Sequence, residues 1–140
     1  MLKSIGLSAI IKHKAPLRIY KTRIFSKWAR KEGMSDKQLC QAVYEMELGL
    51  IDGDLGGHAY KKRVKLEGRG KRSGARTIIA YKVGLKAFFM FGYAKNEREN
   101  ISSEELKMVK MLAIELMSYS ESQCDKLVDC GKLIEVKYDE

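Results

Sequence analysis

The stretch Thr77-Ile78-Ile79-Ala80-Tyr81-Lys82-Val83-Gly84-Leu85-Lys86-Ala87-Phe88-Phe89-Met90-Phe91-Gly92-Tyr93-Ala94 decides the fold. Two apolar runs, Thr77–Val83 and Ala87–Ala94, flank the glycine-bearing turn Val83-Gly84-Leu85-Lys86, which predicts an antiparallel β-hairpin. Both alternating sets within Ala87–Tyr93 are apolar, so the period-2 pattern leaves open whether Tyr81, Phe89 and Phe91 or their neighbours face the core. Immediately upstream lies Lys61-Lys62-Arg63-Val64-Lys65-Leu66-Glu67-Gly68-Arg69-Gly70-Lys71-Arg72-Ser73-Gly74-Ala75-Arg76, in which eight of sixteen residues are Lys or Arg. Immediately downstream comes Lys95-Asn96-Glu97-Arg98. Cations set this tightly between strand-like runs are expected to be held by a sheet, and a fixed cationic cluster suits the gripping of phosphates.

The flanking segments complete an α+β pattern. Arg18–Thr22 predicts a short first strand, and Ile24 and Trp28 begin a helical period that ends at Gly33. Ser35 with Gln38 forms a capping box for a second helix, whose apolar positions are Leu39, Val43, Met46 and Leu50, with Glu45 and Glu47 pointing away. Cys40 is expected on the apolar side of that helix. The run Asp52-Gly53-Asp54-Leu55-Gly56-Gly57 has turn composition, and a strand is expected from about Ala59 to Leu66. Ser102 with Glu105 forms a further capping box for a helix through Leu106, Val109, Leu112, Leu116 and Met117. A short helix from Glu121 and a strand within Leu133–Tyr138 follow. The order predicts a small, mostly antiparallel sheet with two N-terminal helices packed on one face and C-terminal helices after it.

Composition narrows the class. The 140 residues suffice for one modest core, with net charge +9 unevenly spread. Residues 1–98 hold 22 Lys/Arg against 8 Asp/Glu, whereas residues 99–140 hold 5 against 10, so an anionic partner is expected on the basic body. Three cysteines without a C-x-x-C pair argue against a disulfide framework and a structural zinc site, and suit a reducing cytoplasm. No stretch approaches the roughly 20 apolar residues of a membrane span. Ile5–Ile11 is short for a signal sequence and is followed by Lys12-His13-Lys14, so residues 1–17 are expected to be an extension around the only proline, Pro16.

From about Arg18 to Ile101 the chain resembles the RelE toxins of bacterial type II toxin–antitoxin pairs, in the RelE/HigB branch of the RelE/ParE superfamily. The resemblance rests on Tyr20-Lys21-Thr22, Phe25 with Trp28-Ala29, Tyr60-Lys61-Lys62-Arg63, Gly68-Arg69-Gly70-Lys71, Gly74-Ala75-Arg76-Thr77, and Phe89-Met90-Phe91-Gly92-Tyr93-Ala94-Lys95-Asn96-Glu97-Arg98. It implies a RelE-like toxin domain over residues 18–119, with residues 120–140 as a C-terminal helix and strand extension. It also implies ribosome-dependent mRNA cleavage that needs no metal or other cofactor, silenced by an antitoxin of helix-turn-helix type. In that chemistry the 2′-hydroxyl attacks the adjacent phosphate and leaves a 2′,3′-cyclic phosphate. The enzyme must take a proton, stabilise the phosphorane and return a proton to the leaving 5′-oxygen.

Carried over residue by residue, the resemblance implies catalytic roles for Lys61, Arg63, Arg76, Lys95 and Arg98, with Arg76 on the scissile phosphate. Crowded cations favour the neutral form of lysine, while arginine stays charged and grips phosphate with its planar fork. Lys62, Lys65, Arg69, Lys71 and Arg72 are expected as RNA contacts, with Lys62 and Lys65 on a solvated opposite face. The tyrosine that some RelE enzymes carry after this motif has no counterpart near Asn100–Ser102; Tyr93, Glu97 and His58 are the candidates to replace it. A ParE-like gyrase inhibitor and a non-catalytic RNA- or ribosome-binding module are the alternatives, and the dense Lys/Arg set favours the nuclease.

Overall fold

The computed structural model describes residues 17–66 and 74–138. Strand β1 (Arg18–Thr22) passes directly into helix α1 (Arg23–Glu32), because Thr22 is the N-cap and its hydroxyl accepts from the Phe25 amide at 3.1 Å. Gly33, in the left-handed region at φ 75°, ends α1. The capping box of Ser35 and Gln38, with both halves formed, then starts α2 (Asp36–Glu47). Strands β2 (Gly53–Gly56), β3 (Ala59–Val64), β4 (Ala75–Lys82) and β5 (Lys86–Ala94) follow. Capping boxes at Ser102/Glu105 and Ser120/Gln123 open α3 (Ser103–Ser118) and α4 (Glu121–Asp129), and β6 (Leu133–Glu135) ends the order.

The six strands form one mixed sheet in the order β2-β3-β4-β5-β1-β6, with β1 parallel to β5 and the other pairs antiparallel. The expected sheet was mostly antiparallel, and β1–β5 is the parallel pair within it. This pair arises because β5, the last strand of the β2–β5 meander, lies beside β1 and runs in the same direction. Gly53–Gly56, read from its composition as a turn, is a strand, since β3 pairs with it along its length.

Helices cover both faces of the sheet, the two N-terminal ones sharing one face. Phe25 and Ala29 of α1 and Leu39, Val43 and Met46 of α2 pack with Ile79, Tyr81, Ala87 and Phe89. Val109, Ala113 and Leu116 of α3 and Cys124 of α4 pack with Tyr20, Ile78, Ala80, Phe88 and Met90 on the other side. A strand buried on both faces has no polar side, which is why alternation in β5 could not select an inner one. Two helical assignments change. Ile24 is 71% exposed, so α1 buries Phe25 and Ala29 with Trp28 half-buried, and Leu50 lies exposed beyond the end of α2. The Trp28 ring packs over Gly92 from the α1 side, where an added Cβ would come within 2.3 Å of it, so only glycine fits there.

The acidic end of the chain is tied to β1. Arg18 makes two hydrogen bonds of 2.9 Å to Glu135 and ion pairs with Asp125 at 2.8 Å and Glu121 at 3.3 Å. The Glu135 hydrogen bond raises the Arg18 pKa above its ordinary value. Residues 1–16 of the expected N-terminal extension lie outside the described residues, as do Gly68, Arg69, Gly70, Lys71 and Arg72 of the basic loop.

Candidate functional site

Strand alternation separates the basic residues of β3 into two sets. Lys61 and Arg63 lie on the α3 side with Ala59, whereas Lys62 and Val64 lie on the α2 side. Arg63 pairs directly with Arg76 of β4, and Arg76 in turn pairs with Tyr93 of β5. Ile78 pairs with Phe91 but Ile79 with Phe89, so Met90 is an extra residue in β5. This bulge reverses the parity of the strand. Phe91 and Tyr93 thereby join the face of Lys61, Arg63 and Arg76 instead of the α1 face.

Opposed like charges on neighbouring strands disfavour the sheet unless an anion or solvent lies between them. Among the described residues, Lys61, Arg63 and Arg76 make no ion pair with a carboxylate. Asp52 is near Arg63, but its Oδ2 accepts from the Arg63 backbone amide at 2.7 Å. Lys61 donates from Nζ to Asn100 Oδ1 at 3.1 Å, a neutral partner.

Beyond β5 the chain turns back under the same face. The Lys95 amide donates to Gly74 O at 3.4 Å, joining the end of β5 to the exit of the basic loop, and Lys95 itself is exposed. Arg98 is held on three sides. Its guanidinium carbon lies 5.3 Å from the Phe91 ring centroid and 5.1 Å from that of Tyr93. Its two terminal nitrogens donate to Glu105 at 2.7 and 3.0 Å. Those hydrogen bonds raise the Arg98 pKa and hold the Glu105 carboxyl down at about 2. Arg98 thus ties the turn to the first turn of α3.

Of the three candidates for the missing tyrosine, only Tyr93 lies in this cluster. It is 4% exposed, and its hydroxyl donates to Glu99 O at 3.5 Å. Burial raises its pKa, opposed by the nearby Arg76 and Arg98 charges. A ring covered this way supports the arginines and offers no open face for a base to stack on. Glu97 is exposed in the turn, and His58 (φ 67°) lies in the β2–β3 turn, where its carbonyl accepts from Tyr81.

The expectation of a solvated side is overturned at Lys62. It is 5% exposed, with Nζ 2.8 Å from Glu45 Oε1 and 3.0 Å from Leu50 O, because α2 covers this side of β3. Glu45 accordingly turns toward the sheet, and its carboxyl is held below the ordinary range mainly by Lys62. Glu47 likewise accepts from the Tyr81 hydroxyl and, at 2.9 Å, from the Gly84 amide. Lys65 is exposed as expected.

Asn100 and Glu105 are the members of this site that the residue pattern did not single out as functional. The only signal for them was their place at the start of the Ser102 capping box. Among the described residues no three His, Cys, Asp or Glu side chains converge as metal ligands. No helix among them is long and apolar enough to cross a membrane.

A comparison with curated proteins finds no match. The sequence model of the family described as the RelE toxin of the RelE/RelB toxin–antitoxin system matches residues 17–136, which take in every described strand and helix. This chain therefore belongs to the RelE family and is a toxin of a toxin–antitoxin system.

Proposed function

We propose that this toxin is a ribosome-dependent endoribonuclease that cuts mRNA without a metal. The observation that carries this reading is the cross-strand pair Arg63–Arg76, flanked by Lys61 on the same face and with no carboxylate among the described residues paired to any of the three. Two guanidinium groups side by side can share the non-bridging oxygens of one phosphate and stabilise the charge that grows on them in the phosphorane. Lys61, which sits on the same strand two residues away, is assigned the proton of the attacking 2′-hydroxyl. The 2′-oxygen then bonds to phosphorus, the P–O5′ bond breaks, and the 5′-oxygen takes up a proton. The products are a 2′,3′-cyclic phosphate and a 5′-hydroxyl. Lys95, exposed at the end of β5, is assigned a contact with the phosphate backbone. Arg98, already engaged by Glu105, shapes the site from below. The reading puts the protein in the cytoplasm with ribosomes and mRNA as targets, and with an antitoxin as the partner that silences it.

The test is induction of the toxin without its antitoxin, with mRNA ends mapped and DNA integrity followed. Cuts inside translated regions, bearing cyclic phosphate ends and absent when ribosomes are stalled away from the message, are expected. Intact messages accompanied by DNA breaks would instead establish the gyrase-inhibitor alternative.

A further inference from the structure

We infer that Asn100 is the positioning residue for Lys61, an inference that rests on the nuclease reading above. Lys61 pairs with Ile78 on one side and with Gly53 of β2 on the other. Gly53 carries no side chain, and an added Cβ there would lie 3.5 Å from Lys61 Cβ. The long Lys61 side chain therefore has no neighbour across β2 to confine it, and a lysine left free spreads over many rotamers. Asn100 supplies the confinement. Its Oδ1 accepts from Lys61 Nζ at 3.1 Å and from the Ile101 backbone amide at 2.9 Å, so the acceptor is itself pinned to the chain.

That chain segment is closed at both ends. Arg98 clasps Glu105, the Ser102–Glu105 capping box locks the start of α3, and Ile101 packs against the α3-side core. Asn100 is held inside this short closed loop and presents an oxygen to the strand. The chemistry of the acceptor matters as much as its place. A carboxylate would neutralise the lysine, as Glu45 does for Lys62, whereas an amide orients the amine and leaves its proton free to exchange. Asn100 acts through Lys61 and need not touch RNA.

The experiment is a double-mutant cycle on programmed ribosomes, using wild type, Asn100→Ala, Lys61→Ala and the double variant. First-order cleavage rates and ribosome affinities are measured separately, with thermal melting as a fold control. Asn100→Ala is expected to slow cleavage about tenfold, as misplacing a catalytic group does, with affinity changed less than about twofold. In the Lys61→Ala background the same substitution should change the rate less than about twofold, because the group it positions is already gone. A cleaving wild type whose Asn100→Ala variant is as fast, or whose losses multiply in the double variant, overturns the inference and leaves the nuclease reading standing. A wild type that leaves ribosome-bound mRNA intact overturns both.

Discussion

Lys61 and Lys62 are adjacent in sequence and belong to opposite faces of one strand. Lys62 is buried beneath α2 against Glu45 and the Leu50 carbonyl, while among the described residues Lys61 donates to the neutral oxygen of Asn100 and shares its face with Arg63 and Arg76. On the α2 face Lys62 is neutralised by Glu45, whereas on the α3 face Lys61, Arg63 and Arg76 have no carboxylate partner among the described residues. Residue type does not distinguish a cation paired within the fold from one left unpaired among the described residues. Strand parity and the presence of a carboxylate do.

The sharpest way to break this contrast is to remove one cation from each face. Arg76→Ala should reduce mRNA cleavage by about 100-fold, equivalent to roughly 3 kcal/mol of lost phosphorane stabilisation, with thermal stability nearly unchanged. Lys62→Ala should do the reverse, costing about 1–3 kcal/mol in denaturant unfolding because it removes the donor to the Leu50 carbonyl and leaves Glu45 with Gln41 alone. Cleavage at equal folded concentration should be retained in Lys62→Ala. A Lys62→Ala protein that is fully stable but inactive would move Lys62 to the functional set and dissolve the distinction.

A smaller effect is expected in salt. Each single-stranded phosphate contact contributes a slope of about −0.7 to the logarithm of affinity against the logarithm of salt. Arg63→Glu should flatten the dependence for RNA by about that amount or more. Lys126→Glu, in α4 on the far edge, should leave it unchanged. Equal flattening by both would mean that binding follows total charge and not the face.

The smallest effect concerns the clasp beneath the site. Glu105 titrates at about 2 in the folded protein, below the ordinary value of 4.5, chiefly because Arg98 donates to it. A depressed carboxyl stabilises the fold above the unfolded value and loses that contribution as pH falls from about 4.5 toward 2. Both partners are partly open to solvent, so the stability at stake is at most about 1 kcal/mol. Glu105→Gln should therefore flatten the acid limb of an unfolding-versus-pH curve by that amount and little more. An unchanged limb would show that the Arg98–Glu105 pair contributes nothing in solution.

What was legible in the sequence was local. The Ser35/Gln38 and Ser102/Glu105 capping boxes form as their spacing predicts, and so does the β4–β5 hairpin about Gly84, because each is determined by a few consecutive residues. What was hidden depends on distant partners. Gly53–Gly56 carries turn residues and becomes a strand only because β3 lies beside it. The bulge at Met90, which turns Phe91 and Tyr93 toward the arginines, leaves no mark in an apolar run where both parities look alike. The burial of Lys62 needs α2, and the clasp of Arg98 needs Glu105 seven residues on. The alternation of Lys61 and Arg63 with Lys62 was readable from strand period alone, while the covering of the Lys62 face by α2 and Glu45 was not.

The short strands at the two ends of the sheet bear on how this protein behaves when it stands alone. The margins are β2, four residues with glycine at both ends, and β6, three residues long. Abbreviated margins offer little backbone for another chain to extend, so the sheet resists growing by strand addition. Arg18, by holding Glu135 and the start of α4, keeps β6 seated over the longer β1. Loosening that anchor would uncover five residues of continuous strand and turn a guarded margin into a template for self-association.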